Sequence, residues 1–292
     1  MTRLVLFLMW LLHWLPLPLL AACGRLFGRL FFIFGRERRQ IVLTNLGLCF
    51  PQMPADEKSA LAQRHFAAFG RSFLERGLLW WAPPERIRRL VRVEGMERLA
   101  ALRGRPVILL VPHFVGLDAA WTRLSMEIDM SGIYASQKNP VFDAALYKGR
   151  ARFGRPLMLS RQDGPRRGIK AIKSGYPFFY LPDMDYGRRD AIFVPFFGVP
   201  AATITGLSRL ARLTGATVLP VIARLTQDNG TGYVVSIGAP WEDYPGQGEH
   251  GIEDDTLRMN AFIEAEVLKM PEQYYWLHKR FKTRPRGENK LY

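Results

Sequence analysis

From Pro106 onward, short apolar runs alternate with stretches of helical periodicity, and this alternation restricts the possible fold more than any other feature. The runs are VILLV (107–111), SGIYA (131–135), PLMLS (156–160), PFFYL (177–181), TVLPVIA (217–223) and YVVSIG (233–238). Helical patterns fall at 117–126, 140–153, 166–173 and 204–214. Short runs joined through helices predict an α/β fold with a mixed, mainly parallel central sheet flanked by helices. Open sheets of this kind bind ligands at the carboxyl ends of their strands. The residues just past each run are therefore the first candidates for function.

Upstream, 56–81 reads as one long amphipathic helix, with Leu61, His65, Phe66, Phe69, Phe73 and Leu74 at helical spacing. The APPE at 82–85 ends it. A last helix over 255–269 precedes a basic tail, HKRFKTRPRGENK. With no internal repeat or low-complexity linker, 35–292 reads as a single domain.

The first 34 residues read differently. Leu4 to Cys23 is almost wholly apolar, broken by His13, Pro16 and Pro18. An apolar and basic stretch follows, with Arg25, Arg29, Arg36, Arg38 and Arg39. A cleaved secretory signal fits poorly: only Arg3 leads the apolar run, and the chain past Cys23 is again apolar. A membrane anchor fits better, either a spanning helix or an interfacial one lying on anionic lipid. The arginines past the apolar run place the main body on the cytoplasmic side.

Lys and Arg total 41 against 26 Asp and Glu, a formal charge of +15, so anionic partners are expected. Cys23 and Cys49 alone, without paired spacing, argue against a disulfide framework or a cysteine zinc site and fit a reducing compartment. A non-catalytic basic protein bound to membrane or nucleic acid would also carry such a charge, but the chain has no recognisable nucleic-acid-binding motif.

The run 107–111 ends in Pro112, then His113, with Asp118 five residues later. On one ideal helix the two would diverge by about 140°. They meet only if His113 lies in the strand-to-helix turn and Asp118 in the first helical turn. There the carboxylate accepts from one ring nitrogen and leaves the other free as a base. A satisfied loop histidine and a capping aspartate would look the same. No G-x-S-x-G nucleophile elbow exists in the chain.

His-x4-Asp after an apolar strand resembles the signature of the glycerolipid acyltransferase superfamily. The blocks TNLGLCFP (44–51), PHFVGLDAA (112–120), LPDMDYG (181–187), FVPFFGVPAATITGLSRLARLTGA (193–216) and PEQYYWLHKRFKTRP (271–285) resemble the late, lauroyl/myristoyl-type lipid A biosynthesis acyltransferases. The resemblance spans nearly the whole chain. It implies an enzyme of the bacterial inner membrane, working on the cytoplasmic side. That enzyme moves a fatty acyl group from acyl carrier protein to a hydroxyacyl chain of a lipid A precursor glycolipid. His113 is then the general base and Asp118 its orienting carboxylate, with no acyl-enzyme, cofactor, metal or nucleic-acid partner. Amides near Val115 and Gly116, or an arginine, are the oxyanion candidates. A glycerophosphate, lysophospholipid or other glycolipid acceptor is the alternative on the same fold.

An acceptor bearing phosphates suits arginine, which makes Arg150 the first substrate-positioning candidate, ahead of Arg152 and beside Arg161. Asp183, in LPDMDYG, supports the histidine or an arginine, or holds a turn with Asp185. Gly198 and Thr203 precede a helix and suit acceptor phosphate, or form a tight turn with Thr203 as N-cap. His65 and His278 read as packing residues, and His250 as part of an acidic loop.

Overall fold

The computed structural model describes residues 1–160, 164–226 and 232–292. Four helices open the chain, α1 (Thr2–Leu12), α2 (Leu17–Phe34), α3 (Arg36–Cys49) and the long α4 (Ala55–Trp81), followed by the short α5 (Pro84–Leu90). The α/β part runs β1 (Val91–Glu94), α6 (Met96–Ala100), β2 (Val107–Leu110), α7 (Leu117–Ser125), β3 (Ser131–Tyr134), α8 (Pro140–Arg150) and β4 (Leu157–Ser160). It continues with α9 (Pro165–Lys173), β5 (Phe178–Tyr180), β6 (Ala191–Phe196), β7 (Val199–Ile204), α10 (Gly206–Thr214), β8 (Thr217–Leu225), β9 (Tyr233–Ile237) and α11 (Gly251–Lys269).

Seven strands form one sheet in the order β1-β9-β8-β2-β5-β3-β4. Every neighbouring pair is parallel except β8 and β9, so the sheet is mixed and mainly parallel, as the sequence pattern predicts. Strand β2 shows why its run is uninterrupted. Val107, Leu109 and Val111 enter one core with Ala120 and Leu124 of α7 and Leu146 of α8. Ile108 and Leu110 enter the other, with Ile172 of α9, Ala211 of α10 and Ile263 of α11. A strand covered on both faces has no polar side to show. Helix α8 starts where its sequence dictates: the Asn139 side chain accepts from the Phe142 amide at 3.0 Å, and Pro140 fills the first turn.

Two regions depart from the sequence expectation. The stretch read as a turn ahead of a helix is an antiparallel hairpin of β6 and β7, separate from the main sheet. Its two-residue turn, Phe197 and Gly198, has positive φ at both positions, the geometry that matches strand twist. Helix α10 begins at Gly206, two residues later than the periodicity suggests.

The N-terminal segment breaks at Pro16 into α1 and α2, and both pack along α4. The α2 contact depends on absent side chains: a Cβ on Gly28 would lie 2.0 Å from the Phe66 carbonyl oxygen, and one on Gly70 2.4 Å from that of Gly24. Gly24-x3-Gly28 on α2 and Gly70 on α4 thus let the two backbones touch. The segment 1–34, expected as an anchor, consists of α1 and α2, which pack onto α4 of the body. Helix α2 is long and apolar enough to cross a membrane. Its outer face exposes Leu26, Leu30, Ile33 and Phe34, and α1 exposes Leu4, Phe7, Leu8 and Leu11.

Candidate active site

Strands β2 and β5 are parallel neighbours, with Ile108 opposite Phe178 and Leu110 opposite Tyr180. Both continue into a proline, Pro112 and Pro182, and the same register carried on brings His113 opposite Asp183. The contact forms: His113 Nδ1 lies 2.6 Å from Asp183 Oδ1, and the His113 amide donates to Asp183 Oδ2 at 2.8 Å. Asp183 is 1% exposed. Burial pushes its carboxyl up, but the His113 charge and the hydrogen bonds from that residue outweigh burial and hold it below the usual carboxylate value. A carboxylate on Nδ1 fixes the ring's orientation. Among the described residues no hydrogen bond occupies the other nitrogen, Nε2.

The segment that follows α11 braces this pair. The Tyr275 amide donates to the His113 carbonyl at 2.8 Å, and the Val115 amide to that of Gln273 at 2.9 Å. His278 Nε2 accepts from the Asp185 amide at 2.8 Å, and Asp185 in turn accepts from the Thr283 amide at 2.6 Å and hydroxyl at 2.8 Å. Burial, with His113 and Arg280 nearby, lowers His278 to about 4, so at neutral pH it is an uncharged acceptor. The sequence reading made His278 a packing residue; the structure makes it part of the scaffold of the Asp183 loop. His65 is buried as expected and also tethers this segment, its Nδ1 being 3.0 Å from the Glu272 carbonyl.

Asp118 is not the histidine's partner. It sits in the first turn of α7, nearly buried, between Arg76 of α4 (2.7 Å) and Arg150 of α8 (2.6 Å). Burial raises its pKa, but the charges of Arg150 and Arg76 prevail and lower it to about 2. Two guanidiniums hold a carboxylate more strongly than one imidazole does, and the place on His113 Nδ1 is already taken by Asp183. Arg150, read as a substrate-positioning residue, therefore has one face tied to Asp118 while lining the cavity described below. Arg76 was absent from the sequence reading, where it was one of many cations on a long helix.

The other candidates separate. Thr203 lies within β7, 0% exposed, and its hydroxyl accepts from Arg280 at 2.9 Å and donates to the Ala201 carbonyl at 3.1 Å. It neither caps α10 nor lines the cavity of His113; Thr205 holds the N-cap position. Gly198 is at the β6–β7 turn, away from His113's cavity, and serves the hairpin. The Val115 amide, an oxyanion candidate, is committed to Gln273. Arg152 is tied to the carbonyls of Leu79 (3.1 Å) and Ala82 (2.6 Å). Arg161 lies outside the described residues.

A cavity of about 1100 Å³ opens over the carboxyl ends of β2, β3, β4 and β5. His113, Arg76, Arg150 and Tyr275 line it, with Trp121, Phe142, Leu146, Met158, Phe178 and Phe179 as apolar walls. A histidine held by a buried carboxylate, next to arginines, in a large apolar cavity can take a proton from a hydroxyl beside a long alkyl chain.

The whole chain has close counterparts. The family described as bacterial lipid A biosynthesis acyltransferase matches residues 1–283. The lipid A biosynthesis lauroyltransferase of Escherichia coli (strain K12) is 38% identical over 282 residues, 96% of this chain and 90% of that protein. The palmitoleoyltransferase of the same organism is 35% identical over 288 residues (97% and 92%), and its myristoyltransferase 34% over 278 (94% and 83%). These three are named for different acyl groups yet stand at similar distances, so the likeness fixes the family and leaves the acyl group open. From the anchor-like helices to the segment that braces His113, the chain belongs to the bacterial lipid A biosynthesis acyltransferases.

Proposed function

We propose that this acyltransferase moves a fatty acyl group from an acyl carrier protein thioester to the hydroxyl of a hydroxyacyl chain on a lipid A precursor, with His113 as general base. The observation that carries this reading is the 2.6 Å contact of His113 Nδ1 with buried Asp183 at the cavity wall. Nε2 takes the hydroxyl proton as the oxygen attacks the thioester carbonyl. The tetrahedral intermediate collapses, the C–S bond breaks, and the imidazolium returns the proton to the leaving thiolate. Asp183 stabilises the imidazolium between these steps. No acyl-enzyme is required, consistent with the missing serine elbow. Arg150 and Arg76, with two positive charges against the one of Asp118, leave a net positive wall suited to an anionic acceptor.

In this reading the enzyme works at the cytoplasmic face of the inner membrane, with α1 and α2 lying in the lipid interface. Gly24 of α2 abuts Arg71 of α4, which pairs with buried Glu75 at 2.6 Å. A spanning α2 would carry that ion pair into hydrocarbon, at a cost an interfacial helix avoids. The outward apolar face and the exposed Arg25, Arg29 and Arg36 suit the boundary of an anionic bilayer.

The test is acyl transfer in membranes bearing the protein, with a tetra-acylated lipid A precursor and carrier-bound chains of several lengths. Wild type adds one acyl chain by mass, and His113→Ala loses about 10²- to 10⁴-fold in rate. Acylation of a lysophospholipid instead, with the lipid A precursor untouched, would overturn the acceptor; full activity in His113→Ala would overturn the base.

A further inference from the structure

The cavity takes its walls from both faces of the sheet. Trp121 and Phe179 belong to the core under α7 and α8, whereas Phe178 and Leu210 belong to that under α9 and α10. It therefore has a side, or lobe, on each face of the sheet, with His113 at the strand ends between them. The proposed reaction brings together two long chains, one on a lipid and one on a thioester. The α7/α8 lobe adjoins the N-terminal layer, since α1 packs on α8 and α4 and exposes apolar side chains outward. That is the natural entrance for a lipid.

The other lobe reaches the surface between α9 and α10, where Pro165, Arg209 and the 58% exposed Leu213 line it. Its surroundings are mainly cationic, Asp190, beside Arg189 at 3.7 Å, being the acidic residue among the described residues of the lining. At 100° per residue, Arg166, Lys170 and Lys173 occupy an arc of about 60° on α9, next to cavity-lining Ile169. Arg209 of α10 is itself in the lining. Neither helix contains an acidic residue. Among the described residues none of Arg166, Lys170, Lys173 and Arg209 has an ion-pair partner. Unpaired like charges beside an apolar opening repel one another and are relieved by an anionic partner.

We propose that the basic face of α9, with Arg209 of α10, docks an acidic protein that carries the acyl donor, and that the acyl chain enters by the α9/α10 lobe while the lipid acceptor enters from the α7/α8 side. This rests on the acyl-transfer reading above. A protein suits the face better than a bilayer does, because α9 and α10 lie across the sheet from α8, against which the apolar α1 packs.

The full-length protein in mixed micelles is compared with its Arg166→Glu/Lys170→Glu/Lys173→Glu variant. One acyl chain is offered on acyl carrier protein and, separately, on the small uncharged thiol N-acetylcysteamine. The expected result is a rise of about tenfold or more in KM for the protein-borne donor. Turnover stays within about twofold and transfer from the small thioester is unchanged. Added salt raises the wild-type KM for the protein donor and not for the small one. An unchanged KM for the protein donor would overturn the proposal, as would equal losses with both donors. So would lost sedimentation with phosphatidylglycerol vesicles at unchanged donor KM, which would assign the face to the membrane. Wild type that transfers from neither donor would instead remove the acyl-transfer reading, a result visible without the variant.

Discussion

Asp183 and Asp118 are both buried at the carboxyl edge of the sheet, and both are held below the usual carboxylate range. Their partners differ in kind. Asp183 faces an imidazole and a backbone amide, both from His113. Asp118 faces two guanidiniums, those of Arg76 and Arg150. In the proposed reaction the first arrangement supports a charge that comes and goes, while the second sets a fixed field. The two ends of one His-x4-Asp stretch are thus divided between two neighbouring devices.

Isosteric amides separate the two most sharply. Asp183→Asn keeps the shape and one acceptor but loses the charge opposite the imidazolium. It is expected to lower kcat about 10³-fold, leaving KM and the melting temperature near wild type, with partial recovery in Asp183→Glu. Asp118→Asn strands Arg76 and Arg150 as uncompensated charges, so it should destabilise the fold by about 3–5 kcal/mol, read by thermal unfolding in detergent. The opposite pattern, a folded and inactive Asp118→Asn beside an unfolded Asp183→Asn, would break the comparison.

Acid should dismantle the two regions in sequence. His278 has a folded value of about 4, below its ordinary 6.5, so the unfolded chain takes the proton first. Its contribution, about 3 kcal/mol, is complete above about pH 6.5 and is lost as the pH falls toward 4. Asp118, lowered from 3.8 to about 2, keeps its contribution of about 2 kcal/mol down to pH 3.8 and loses it below. Unfolding midpoints taken from neutral pH downward should fall first as His278 and the equally lowered His65 take their protons, and His278→Gln should shrink that step without abolishing it. The smallest effect belongs to Thr203→Val, which removes the acceptor for Arg280. It should cost about 1–3 kcal/mol and leave KM for the acceptor unchanged; a raised KM would return Thr203 to the substrate.

The sheet was legible because buried parallel strands write themselves as apolar runs, and β2 to β5, β8 and β9 all lie where those runs fall. The β6–β7 hairpin was not, since Pro195, Gly198 and Pro200 read as punctuation while their edges form a separate ribbon. His113 was legible as a candidate, and Asp183 was read as support for it or for an arginine, but Asp118 was placed ahead as the orienting carboxylate. Spacing favours a neighbour five residues on, whereas the partner is 70 residues away in a parallel strand. A signal existed: LLVPH and FYLPD are both an apolar strand, a proline and a titratable residue. Arg76 left no such trace, because nothing in α4's periodicity marks one arginine as facing a distant helix.

The glycine contacts between α2 and α4 have a practical consequence for anyone wanting a water-soluble version of this enzyme. Cutting before Gly35 would lift α2 off Phe66 and Gly70, leaving an apolar seam along α4 where a helix had lain. Helix α4 also supplies Arg76 to Asp118, so the seam would lie on the same helix as one of the fixed charges lining the His113 cavity. Trimming the outward leucines and phenylalanines of α1 and α2 to polar residues, with every glycine kept, is the gentler route.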